Sequence, residues 1–155
     1  MPTNPVFTPV DAQGNVIGAA GTPSAVSVSN SPTVFTVVQP PATLYTEAAQ
    51  SRTANGATAA QTWTNNVAAA IVGVNVTGFV GGTNLVVGLQ QQDANGVWQT
   101  LASTAAITAT GTAAFSVGQG MATGAMLVSG GSYRLTWTLT GTFTTLTFQL
   151  SVQGR

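Results

Sequence analysis

The chain has 155 residues, enough for one domain with a modest core, and only 4% of them are charged, against about 25% in an ordinary soluble domain. Its ionisable side chains are Asp11, Glu47, Asp93, Arg52, Arg134 and Arg155, which sum to zero net charge, and it has no Lys, His or Cys. Three scattered Arg cannot form a phosphate-neutralising face, and without Cys, His or Lys there is no thiolate, imidazole or Schiff-base chemistry, so nucleic-acid binding and most catalysis are excluded.

In chain order, all seven prolines lie in the first 41 residues, from Pro2 to Pro41. Proline fixes φ and lacks a donor, which bars it from paired central strands and helix interiors. Residues 1–41 are therefore expected to be an extended Pro-rich N-terminal arm, and residues 42–155 a body of continuous hydrogen-bonded strands. Within the arm, V-D-A-Q-G-N-V reads as a tight turn. Val6, Phe7, Val10, Val16 and Ile17 are spaced apolar anchors suited to a partner surface. Thr33–Val38, closed by Gln39-Pro40-Pro41, reads as an edge strand. No basic stretch precedes an apolar core at the N-terminus, so no secretory signal is expected. The uncharged run from Thr53 to Gln92 is interrupted by Asn and Gly before it offers the ~20 apolar residues of a spanning helix, so no membrane span is expected.

The body begins with an Ala- and Thr-rich stretch that permits a short, marginal helix at Thr46–Gln50. Trp63 is expected in the core. From Ala70 to Val80, Val72, Val74 and Val76 alternate with Gly73, Asn75 and Thr77, the period of a half-buried strand. Gly81-Gly82 turns the chain. Leu85, Val87 and Leu89 alternate next, and Asp93-Ala94-Asn95-Gly96 reverses the chain into Val97, Trp98 and Leu101, a hairpin signal. Ile107, Phe115 and Val117 mark weaker strands, and Gly118–Gly131 is a Gly-, Met- and Ser-rich excursion. The clearest pair closes the chain: Tyr133, Leu135, Trp137 and Leu139 share one face, and Leu146, Phe148, Leu150 and Val152 share another. Short strands with turns roughly every ten residues predict an all-β antiparallel β-sandwich, jelly-roll-like.

Each candidate site has a plainer reading beside it. Asp93 with Asn95 is too poor in oxygens for calcium and reads as a turn residue, so no metal and no cofactor is expected. Trp98 is out of phase with Val97 and Leu101 and is the one Trp expected to be exposed, a possible contact for a sugar. The Thr rows lack the fixed repeat of a solenoid array and suit the wet face of strands. Arg52 and Arg134 are candidates for ion pairs with Glu47 or Asp93, within the chain or between subunits. No catalytic residue is assigned, and the chain is not expected to be an enzyme.

The stretches R-T-A-N-G from Arg52, T-N-L-V-V-G-L-Q-Q-Q-D-A-N-G-V-W-Q-T-L-A-S-T-A-A-I-T-A-T-G-T from Thr83, and S-Y-R-L-T-W-T-L-T-G-T-F-T-T-L-T-F-Q-L-S-V from Ser132 resemble small virion structural proteins of tailed bacteriophages. The resemblance covers roughly residues 50–154 and rests on pattern and turn placement. Such proteins include capsid decoration (cement) proteins, whose sandwich bodies form trimers that bridge capsomers. The resemblance implies a non-enzymatic protein on the capsid surface of a virion, made in the host cytoplasm, whose partners are the major capsid protein and its own copies. From the charge and the interrupted apolar runs, no nucleic-acid or membrane partner is expected. A tail, baseplate or fibre component is the first alternative, and a carbohydrate-binding adhesin module using Trp98 is the second. The charge deficit points the same way: strands without Lys or Pro leave edges that nothing repels, and closed oligomerisation would cover them.

Overall fold

The computed structural model describes residues 41–64, 67–119, 121 and 125–155. The arm anchors Val6, Phe7, Val10, Val16 and Ile17, and the strand expected at Thr33–Val38, lie outside the described residues. The strands are β1 (Ala42–Ser51), β2 (Gly56–Ala57), β3 (Gln61–Thr62), β4 (Ala69–Gly81), β5 (Asn84–Gln92), β6 (Trp98–Ser103), β7 (Gly111–Gly118), β8 (Ser132–Thr140) and β9 (Phe143–Gly154). Among the described residues there is no helix.

The alternations seen in the sequence become two antiparallel sheets around one core. One runs β1-β9-β4-β7; the other runs β2-β8-β5-β6, with β3 pairing the same strand, β8, as β2 does. Val72, Val74 and Val76 of β4 and Leu146, Phe148, Leu150 and Val152 of β9 face Leu85, Val87 and Leu89 of β5 and Tyr133 and Leu135 of β8 in a single buried cluster. Each fully buried Val, Leu or Phe in it contributes about 1.5–3 kcal/mol.

Both sheets take their two central strands from one folded ribbon. β4 pairs β9 along its length, down to Gly81 opposite Phe143, and β5 pairs β8 from Asn84 opposite Thr140. Between these pairings the ribbon bends from one sheet into the other. The Gly82 N–H donates to the Thr142 carbonyl (2.7 Å) and the Thr83 N–H to the Thr140 carbonyl (2.6 Å). At this corner Gly82 has φ +63°, and a Cβ there would lie 2.4 Å from the Phe143 ring.

Two expectations are corrected. Thr46–Gln50 is not helical but lies in β1, where pairing with β9 outweighs weak local Ala propensity. A register shift between Thr43 and Tyr45 lets consecutive Leu44 and Tyr45 both pack against the core, which masks the period of two. Ile107 is not in a strand of its own but makes an isolated bridge to Leu85.

Replacing Gly82 with Ala should cost about 3 kcal/mol, combining backbone strain at positive φ with overpacking against Phe143. Gly96→Ala, where φ is +81° but the nearest atom is 3.7 Å from the added Cβ, should cost only about 1 kcal/mol. Urea unfolding of the two variants checks the difference.

Candidate functional site

The R-T-A-N-G stretch builds the side of the body where the chain passes from β1 to β2. The Arg52 backbone N–H donates to Leu146 of β9 (2.8 Å), so the chain leaves β1 pinned to its own sheet. Its side chain then enters the space between the sheets and is 7% exposed. The guanidinium lies 4.3 Å from the Phe148 ring centre and 4.6 Å from that of Trp137, one aromatic from each sheet. Nη1 donates to the Phe148 carbonyl (2.9 Å) and Nη2 meets the Glu47 carboxylate at 2.6 Å. Arg52 and Glu47 are therefore partners inside one chain. Burial, followed by the neighbouring Glu47 carboxylate, raises the Tyr45 phenol above its ordinary value, while Arg52 opposes the shift.

The next residues complete the clamp on Trp137. Its indole N–H donates to the Ala54 carbonyl (2.9 Å), and the Leu139 N–H donates to Asn55 Oδ1 (2.7 Å). Gly56 pairs with Trp137, and a Cβ on Gly56 would come within 2.5 Å of the indole. Each residue of the motif except Thr53 thus has a structural task. At the other end of the core, Trp63 is buried as expected and stacks on Tyr133 with ring centres 4.0 Å apart. The Tyr133 hydroxyl donates to the Val128 carbonyl (2.9 Å) and accepts from the Val128 N–H (2.6 Å), fastening the segment that leads into β8.

Asp93 acts as the turn residue its neighbours implied. Its Oδ1 accepts from the N–H groups of Asn95 and Val97, both at 2.9 Å, and its Oδ2 accepts from the Gln99 side chain at 3.2 Å. The Val97 bond, then the Gln99 bond, hold its carboxyl below the ordinary Asp value. The structure places it in its own turn and brings it to neither Arg52 nor Arg134.

Trp98 and Arg134 come together, a pairing that sequence alone left open. Strand alternation puts Arg134 on the outer face of β8, as expected, and its guanidinium lies 4.2 Å from the Trp98 ring centre. Trp98 is therefore half-buried, with one face covered by a cation, and Val97 is the exposed neighbour at 52%. Trp98 keeps the outward phase opposite to Leu101, which packs against the core, and its half-burial comes from the Arg134 cover; Val97 is exposed because it belongs to the turn before β6. Arg134 lines a groove of about 620 Å³ on the outer face of the second sheet, floored by Gly88.

The outer face of the β1-β9-β4-β7 sheet has a different character. Strands β9, β4 and β7 contain no charged residue, and Glu47, the only charged one in β1, pairs with Arg52. The face presents Thr46, Thr77, Thr112, Thr145 and Gln149, with Ile71 exposed at 53%. Next to Ile71, Pro41 lines an apolar depression with Ala69 and Met121, where the chain enters β1. Among the described residues no helix is long and apolar enough to cross a membrane, and no three potential metal-ligating His, Cys, Asp or Glu side chains cluster. Compared with protein-family models, with curated proteins and with solved structures, the chain matches none.

Removing one member of the buried pair leaves the other without its partner. Arg52→Leu should cost about 3 kcal/mol, and Arg52→Leu with Glu47→Gln should recover part of that loss. Denaturant unfolding of both variants reads the coupling. For Asp93 the folded carboxyl titrates below its unfolded value of about 3.8. Its stabilisation is then fully present above that value and is lost as pH falls through the lower folded one. A carbon-detected NMR titration should find the Asp93 midpoint below 3.8, and Asp93→Asn should remove this part of the acid dependence.

Proposed function

We propose that the protein is a non-enzymatic virion structural protein that decorates the head of a tailed bacteriophage and stabilises it by bridging capsomers. The observation that carries this reading is the broad uncharged outer face of the β1-β9-β4-β7 sheet, with Ile71 exposed on it. Such a face hydrates through Thr and Gln but offers no ionic repulsion to a second protein, so it suits permanent coverage. The strand order supports the same reading. The first strand lies beside the last in β1-β9-β4-β7, facing β2-β8-β5-β6, and we read this as a jelly roll in which β2 and β3 together take the place of one strand. Jelly rolls recur in capsid and lectin domains.

In this reading the body assembles as a homotrimer on the capsid surface. Residues 1–41 clasp neighbouring subunits through Val6, Phe7, Val10, Val16 and Ile17. Many modest contacts made at once give firm attachment through effective concentration, without any single strong site. A chain lacking residues 2–31 should keep a folded body, judged by its thermal melt, and lose binding to heads of the source phage that lack this protein. Full occupancy by the truncated chain would contradict the clasp. Cryo-electron microscopy of particles carrying a labelled chain separates head from tail placement, and a chain absent from purified particles would contradict the virion reading itself.

A further inference from the structure

Arg134 is the arginine for which the fold provides a position and, among the described residues, no carboxylate. Glu47 is taken by Arg52, and Asp93 accepts three hydrogen bonds within its own turn and strand. Cross-strand register sets Arg134 opposite Gln90 and Gln90 opposite Thr100. Arg134 Nε donates to Gln90 Oε1 at 2.8 Å, and Gln90 Nε2 donates to Thr100 Oγ1 at 3.1 Å. Trp98 packs against the flat side of the guanidinium. One edge and one face of the ion are thereby fixed, and its Nη groups donate no hydrogen bond among the described residues.

Holding a long cationic side chain this way restricts rotamers that are free in an ordinary surface Arg. Restriction of that kind favours binding, because a ligand need not order the group itself. A guanidinium fixed through Nε presents a planar pair of donors that matches a carboxylate. Along the groove from Arg134 stand the hydroxyls of Ser103, Thr136 and Thr138, and Asn55 lies among its other lining residues. Gly88 keeps the floor open: a Cβ there would come 3.1 Å from Thr136 Oγ1. Hydroxyl and amide walls beside one fixed cation suit a chain of hydroxylated rings carrying carboxylates. An acidic peptide would pair with the same cation, but the row of hydroxyls along the groove matches ring hydroxyls better than peptide side chains.

We propose that this groove binds an acidic oligosaccharide, with Arg134 pairing a sugar carboxylate and the neighbouring Thr and Ser hydroxyls receiving the ring hydroxyls. The site goes beyond the structural role above and does not depend on it, since it occupies the outer face of the other sheet. Trp98 acts here by positioning Arg134 and does not serve as a bare stacking platform.

Titration of the full chain with a galacturonate hexamer, its methyl-esterified form and a sialic acid tetramer, followed by calorimetry and amide shifts, tests the proposal. At least one acidic oligomer should bind and shift the amides of Gln90, Thr100 and Ser103, while the neutral ester should not. Arg134→Gln should weaken binding by about tenfold or more, the loss expected for a charge-assisted hydrogen bond. Trp98→Ala should weaken it less, with the melting temperature of each variant checked alongside. Equal binding of the ester, undiminished binding by a folded Arg134→Gln variant, failure of both acidic oligomers to bind, or tighter binding of a glutamate hexapeptide would each overturn the proposal.

Discussion

A buried guanidinium, that of Arg52, holds shut the side of the body where the chain crosses between sheets. Removing an ion from water costs several kcal/mol, so an arginine persists there only if its charge and its donors are answered nearby. Glu47 answers the charge, the Phe148 carbonyl answers a donor, and Phe148 and Trp137 cover the flat faces. Because Phe148 belongs to β9 and Trp137 to β8, one side chain contacts both sheets at once. The succeeding residues Ala54, Asn55 and Gly56 then fit against β8 only if Trp137 lies where Arg52 holds it. A buried ion pair is weak evidence of stability but a demanding geometric condition, and here it sets how the first strand and the short strands of the second sheet meet.

That arrangement has a consequence for the surface. With so few charges in the chain, those devoted to construction are not available to repel neighbours. Arg52 and Glu47 neutralise each other inside, and Asp93 organises a turn. The outer face of the β1-β9-β4-β7 sheet is left with Thr, Gln, Ser and Asn side chains, and the edge strands β6 and β7 contain no Lys or Pro. Native sheets ordinarily protect edges with such residues. Coverage by other subunits meets the same need, which connects the internal economy of charge to the assembled state proposed for the protein.

Much of the fold was legible because the signals were local. The alternations at Val72–Val76, Leu85–Leu89, Tyr133–Leu139 and Leu146–Val152 name the inner faces of the central strands, and the Asp-Ala-Asn-Gly turn names the hairpin between β5 and β6. Gly81-Gly82 was readable as a turn, but its function as the bend of a ribbon shared by two sheets needs the pairing with Thr140 and Thr142, some sixty positions away. Strand β1 was obscured by its register shift, which packs Leu44 and Tyr45 together and breaks the period of two. The Arg52–Glu47 pair was one of several combinations the sequence allowed, and cross-strand geometry selects it. The meeting of Arg134 with Trp98 depends on the register of three strands, and no local pattern carries that.

The central claim is that a body built this way exists as part of an assembly and not as a free subunit. Sedimentation velocity of the purified full chain, over a wide range of concentrations at moderate salt, addresses it most directly. A closed oligomer with no appreciable population at the mass of one chain, 15.5 kDa, is the result the account predicts. A single species at that mass, persisting unchanged at the highest concentrations, would contradict it.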